Sequence, residues 1–319
     1  MRVLVTGVGG ELGYQVASRL EADPAVVELA GLDAKAPRRR VRSMKVYTVA
    51  PMDRRHILRA VREFEPTALV HLGSWEPDAR VAPRMAAERT SAMAIAVLGA
   101  AADLSSMDRL VVRSDITVYG RKRGSATVPD ESVPPVPTTP WGRSLLEVER
   151  LAAGAGAAAG VPAVSLRFAP LVGQRFPSPL ARFLRLPVVG FSALADPAFS
   201  VLEVGDAADA VVAALHRRPD GPLNVVGPGA MTVSQAALVG RRVPLPFLGP
   251  EWVVMRRAAG MVGVGLPDHL VELIHRGRTA DGSTALSALG VAPARTPDVI
   301  RAVYGWTKPP ELSVVRGAA

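Results

Sequence analysis

Two rhythms of apolar and polar residues run along this chain. Compact apolar runs lie at 2–6, 26–32, 45–49, 68–72, 109–113, 163–168 and 223–226. Between them, apolar residues recur at helical spacing: Leu12, Val16 and Leu20, then Ile57, Val61 and Phe64, then Leu145, Val148 and Leu151. The compact runs read as buried strands and the spaced ones as amphipathic helices. Helices are expected over 11–21, 53–64 and 79–102, and from Thr139–Pro140 into an Ala/Gly-rich tail; Asp53 supplies an N-cap and Pro66 a stop. Strands alternating with helices in this order give an α/β fold, a doubly wound parallel sheet. Ligands of such sheets lie at the carboxyl ends of the strands.

The second half is less regular. Residues 169–198 are rich in Pro, Phe and Leu without a clean period, and 199–228 returns to the strand–helix–strand rhythm. Further helices are expected at 233–240, 251–261, 267–275 and 296–304. The expected organisation is a sheet domain of 1–168 plus 199–228, a smaller and mostly helical substrate-covering lobe of 169–198 plus 229–306, and a flexible tail at 307–319. No repeat or long linker separates the lobes.

Chemistry enters at the first strand's end. Arg2–Thr6 runs directly into Gly7, Gly9, Gly10 and Gly13, with Glu11 and Leu12 between the last two. Glycine at the turn, at the close approach and at the helix–strand contact is the pattern that offers helix N–H groups to a pyrophosphate. The second strand ends at Asp33, a carboxylate placed to accept the adenosine ribose hydroxyls and to disfavour a 2′-phosphate. NAD is therefore expected, with NADP kept open by Arg38, Arg39 and Arg40.

Composition narrows the classes. The chain has 319 residues, 49% of them hydrophobic, so a large core is available. A net charge of +9 suits phosphorylated ligands, but aromatics are only 5% and the arginines are scattered, so nucleic acid is not expected. Cysteine is absent and the five histidines show no ligand spacing, so no disulfide, thiol chemistry or metal site is expected. No apolar tract reaches a membrane span, and the strand at residue 2 leaves no room for a signal peptide, so a cytoplasmic protein is expected.

With these residues in view, the chain resembles the extended short-chain dehydrogenase/reductases of the NAD-dependent epimerase/dehydratase group. The resemblance rests on Thr6-Gly7-x-x-Gly10-x-x-Gly13, Asp33, Asp53, His71–Leu72–Gly73, Val118–Tyr119–Gly120, Leu166–Arg167–Phe168, Val204–Gly205–Asp206, Asn224–Val225–Val226–Gly227, and Asp281 with Leu289–Gly290 and Pro293. It implies a Rossmann domain and cofactor contacts at Gly7, Gly9, Gly10, Glu11, Leu12, Gly13, Asp33, Asp53, Leu72, Gly73 and Arg167. It also implies a nucleotide-linked or other phosphorylated ligand touching Gln174 and Arg175, and a homodimer.

The departures from the family fall on its chemistry. Its Tyr-x-x-x-Lys is here Trp141-x-x-x-Leu145, and its hydroxyl residue is Asp115, beside Ser114. The only asparagine of the chain is Asn224, so the family's helix asparagine is absent too. An indole does not titrate usefully, and leucine offers neither charge nor donor. Two readings follow. In one, the protein binds NAD without standard oxidoreductase activity and serves as a sensor, scaffold or partner subunit. In the other, it is an epimerase, dehydratase or reductase with Asp115 as base, assisted by Tyr119 or Ser114. Asp115 as a cap of the next turn or as a partner of Arg113 or Arg143, and Trp141 as an apolar plug, are the structural alternatives.

Overall fold

A computed structural model describes residues 1–78, 81–248 and 265–305. Its strands are β1 (Arg2–Thr6), β2 (Glu28–Asp33), β3 (Met44–Thr48), β4 (Ala68–His71), β5 (Arg109–Asp115), β6 (Ala163–Phe168), β7 (Leu171–Val172), β8 (Val188–Ser192), β9 (Leu202–Glu203), β10 (Gly221–Val225) and β11 (Val243–Phe247). Its helices are α1 (Glu11–Glu21), α2 (Arg54–Phe64), α3 (Pro83–Ala102), α4 (Pro140–Ala159), α5 (Pro179–Leu184), α6 (Val204–Arg217), α7 (Val233–Val239), α8 (Asp268–Arg276), α9 (Ser283–Leu289) and α10 (Thr296–Gly305).

Seven strands form one parallel sheet in the order β3-β2-β1-β4-β5-β6-β10. The order reverses between β1 and β4, which opens a crevice at their carboxyl ends. β4 and β6 are buried along their whole length, which is why they are largely apolar. Side chains alternate across the sheet. Val3 and Val5 join one core with Leu12, Val16 and the α6 alanines, while Leu4 joins another with Ile57, Met93 and Val148. Helices thus cover both faces.

The lobe has its own core, built from residues such as Phe183, Val189, Met231, Leu270, Ile274 and Ile300. It contains a parallel pair, β8 and β11, that the apolar pattern does not announce. Two prolines hide it. Val243 N donates to Pro187 O and Phe247 O accepts from Ala193 N, so the odd-numbered positions of β11 face β8. Pro244 and Pro246 then point away, where no N–H is required. α9 departs from the expected lobe: Ala285 and Leu289 pack in the sheet core. The long third helix starts at Pro83, not 79. The helix expected at 251–261 and the tail at 307–319 lie outside the described residues. Among the described residues, no helix is long and apolar enough to cross a membrane.

Candidate active site

The crevice holds a cleft of about 730 Å³ lined by Gly7, Gly9, Gly10, Glu11, Leu12, Gly13, Asp33, Leu72 and Gly73, nine of the residues expected there. Gly7 turns the chain at φ +78°, and a Cβ there would meet Leu72 C at 2.8 Å. No side chain caps α1, so its first N–H groups are left for an anion. Asp33 lies beside the turn, where its Oδ2 accepts from Gly9 N at 2.9 Å and its Oδ1 from Ala34 N at 2.5 Å. Burial pushes its carboxyl above the ordinary range, against the pull of those backbone donors. The volume, the bare glycine backbone and the uncapped helix fit a dinucleotide.

Other expected contacts fall elsewhere. Asp53 caps α2, with its Oδ1 on His56 N at 3.1 Å and its Oδ2 on His56 Nδ1 at 2.6 Å; Ala50, Pro51 and Met52 line the cleft instead. Arg39 pairs with Glu11 at 2.6 Å and stacks on Tyr14, its guanidinium carbon 3.6 Å from the ring centre, while Arg38 and Arg40 are exposed. Gln174 and Arg175 are exposed, and Phe176, Pro177 and Pro179 reach the cleft in their place. Arg167 lines no part of it. Its Nε and Nη2 grip Glu149 at 2.9 and 2.7 Å, and its Nη1 donates to the Tyr119 hydroxyl at 2.9 Å.

Two suggested helpers sit in that network. Ser114 donates to Glu149, and Tyr119 donates to Asn224 Oδ1 at 2.9 Å, so neither lines the cleft. Burial raises the Tyr119 phenol, which takes it away from acid–base work near neutrality. Asp115 caps the turn after β5, with its Oδ1 accepting from Thr117 N at 2.7 Å and from the Thr117 hydroxyl. Arg143 does not pair with it; it is exposed and donates to Thr138 O at 3.3 Å.

Trp141 is 3% exposed and Leu145 is 0%. Leu145 packs in the core that holds Leu12 and Leu72. Trp141 lies between Arg113, 6.0 Å from the ring centre, and His269, 6.2 Å between rings. Next to it is a small chamber of about 20 Å³, room for roughly one water, lined by Glu76, Arg113, Asp115, His269 and Arg278 among others. Glu76 Oε1 lies 3.0 Å from His269 Nε2, and Arg278 Nη2 lies 2.6 Å from Glu272 Oε2. No motif or spacing in the sequence marks Glu76, His269 or Arg278 as part of a site. One signal exists for Arg113: two residues before Asp115 on a strand, it shares that residue's face.

At the cleft's inner edge, Thr6 Oγ1 accepts from Leu72 N and Gly73 N, both at 3.1 Å, and lies 2.9 Å from His71 Nδ1. The hydroxyl's own proton therefore goes to Nδ1, which leaves the ring hydrogen on Nε2, an atom without a partner among the described residues. Burial pushes the imidazole down to about 4. Its ordinary value is about 6.5, so the unfolded chain takes up this proton first as pH falls. The native state should lose roughly 3 kcal/mol between pH 6.5 and 4 through this group alone. Urea unfolding across that range should show a flatter decline in His71→Asn. Equal slopes would refute the assignment.

The model of the NAD dependent epimerase/dehydratase family matches residues 3–227. A UDP-glucose 4-epimerase of Azospirillum brasilense is 28% identical over 256 residues, which cover 79% of this chain and 61% of that protein. An uncharacterized protein of Mycobacterium tuberculosis is 25% identical over 311 residues, 92% of this chain and 80% of the other. Among solved structures, the Thermus thermophilus UDP-glucose 4-epimerase complex with NAD superposes with a TM-score of 0.72 at 24% identity, covering 96% and 98% of the two chains. The UDP-glucuronic acid 4-epimerase of Bacillus cereus, in complex with UDP-glucuronic acid and NAD, gives 0.73 at 18% identity, covering 96% and 98%.

Proposed function

As this chain belongs to the NAD-dependent epimerase/dehydratase family, we propose that it keeps the family's dinucleotide site without the tyrosine-based hydride chemistry. It serves as a ligand sensor, a scaffold or a partner subunit. The observation that carries this reading is the pair Trp141 and Leu145, buried apolar side chains where a phenol and an ammonium would move the proton and hold the ribose. A positioned acid–base group contributes roughly 10²–10⁴-fold in rate, and neither an indole nor a leucine side chain supplies one.

When bound, NAD supplies a hydride acceptor. The chain's own part is to hold it. The turn N–H groups and the α1 terminus take the phosphates, and Asp33 takes the ribose hydroxyls. NAD is preferred to NADP because the Asp33 carboxylate opposes a 2′-phosphate and Arg39 is already engaged by Glu11 and Tyr14. A nucleotide-linked sugar is the second ligand class, by likeness to the relatives.

Calorimetry with NAD and NADP, beside an assay for UDP-glucose and UDP-galactose interconversion, tests this reading. Binding of NAD without interconversion is expected, and Asp115→Ala should bind NAD as the parent does. Turnover that disappears in Asp115→Ala would replace this reading with the enzyme that uses Asp115 as base.

A further inference from the structure

Arg113 is a charged residue in the strand that faces the cleft. It is 7% exposed, and its Nε has no hydrogen-bond partner among the described residues. It lines both the cleft and the small chamber beside it. A guanidinium stays protonated even when buried. The carboxylates that act on it are Glu76 and Asp115. Neither is hydrogen-bonded to it: Glu76 meets His269 at 3.0 Å, and Asp115 accepts from Thr117 N at 2.7 Å. Asp115 lines the chamber that adjoins the cleft along Glu76, Arg113 and Pro179. The other cations of the cleft wall are Lys35 and Arg89, and its other acids are Glu11, Asp33 and Asp78. Of all these charged groups, only Arg113 has a buried nitrogen without a partner.

A dinucleotide with its adenosine at Asp33 and its phosphates at the glycine turn must lay its other half toward the end lined by Trp75, Glu76, Arg113 and Phe176. We infer that this end selects the reduced dinucleotide over the oxidised one, with Arg113 as the discriminating residue. The inference rests on the dinucleotide reading above and adds to it the redox state that is sensed. The oxidised nicotinamide ring is a cation and the reduced ring is neutral, so reduction adds one net negative charge to the ligand. The Arg113 guanidinium, buried and with its Nε unpaired, opposes the first ring more than the second, against the opposite pull of the Glu76 carboxylate at the same end. Leu145 provides no donor to compensate, and the Arg113 guanidinium carbon lies 6.0 Å from the centre of the Trp141 ring.

The test is titration of the full chain with NADH by fluorescence and with NAD⁺ by competition, using ADP-ribose, which lacks the ring, as the reference in each protein. The parent should bind NADH at least about tenfold more tightly than NAD⁺. Arg113→Met should bring the two within about threefold, and Arg113→Lys should keep most of the preference. Equal affinities in the parent, or a preference undiminished in Arg113→Met relative to ADP-ribose, overturns the inference. Should Arg113→Met fail to fold, the parent ratio and Arg113→Lys still decide it. If none of the three ligands binds the parent, the dinucleotide reading itself falls and takes this inference with it.

Discussion

Gly13→Val should abolish dinucleotide binding and leave the sheet standing. A Cβ at position 13 would lie 2.1 Å from Gly7 O, 2.7 Å from Gly7 C and 2.8 Å from Val8 Cα, all of them backbone. None of these can rotate aside. The same Gly7 carbonyl accepts from Gly10 N at 3.1 Å, and Gly7 N donates to Leu32 O at 3.0 Å. Forcing the carbonyl away therefore opens the turn and separates it from β2. The phosphates lose at least two donors, each worth about 1.5–3 kcal/mol to a charged group, so affinity should fall at least about a hundredfold. Gly99→Ala is the control for an added Cβ, because nothing beyond its own stretch of helix lies within 4 Å of one there. Calorimetry with NAD measures both variants, and circular dichroism reports whether the fold persists. A Gly13→Val protein that binds like its parent would remove the turn from the site.

This turn is legible in the sequence because its requirements are local. Gly7, Gly10 and Gly13 are spaced by backbone geometry that can be counted along the chain. The central strands are legible for a related reason: β1, β4 and β6 are buried almost throughout, which favours apolar residues, whereas the edge strand β3 is mostly exposed. The inner chamber is not, since Glu76 follows β4 and meets His269 of α8 only after the lobe has folded over the sheet. No spacing encodes that meeting. β11 stays hidden because prolines at 244 and 246 argue against a strand until the direction of each N–H is known. Arg167 and Tyr119 sit in stretches that match the family pattern, while their side chains bond to Glu149 and Asn224, contacts that no spacing announces. For Asp115 the capping alternative is the one realised, with Thr117 N as the partner.

Glu149→Ala should be among the most damaging substitutions of this chain, although Glu149 lines neither the cleft nor the chamber. Its carboxylate is the counter-charge of Arg167, with side-chain exposures of 9% and 4%. Removing it leaves a buried guanidinium with the Tyr119 hydroxyl as its remaining partner, and it also strands Ser114 Oγ. Breaking a buried pair this way costs about 3–5 kcal/mol, whereas the rim pair Arg39–Glu11 should yield under about 1 kcal/mol on Arg39→Ala. Denaturant unfolding of the two variants gives the contrast directly. The informative variant is the double replacement Glu149→Leu with Arg167→Met, which takes both charges out of the core together. A buried pair exchanged for apolar volume is often close to neutral, so stability should recover most of what Glu149→Ala loses. The double variant should also bind NAD as its parent does, because Arg167 spends its donors on Glu149 and Tyr119 and not on the cleft. A recovered fold that no longer binds NAD would return Arg167 to the cofactor and undo this account of the network behind the site.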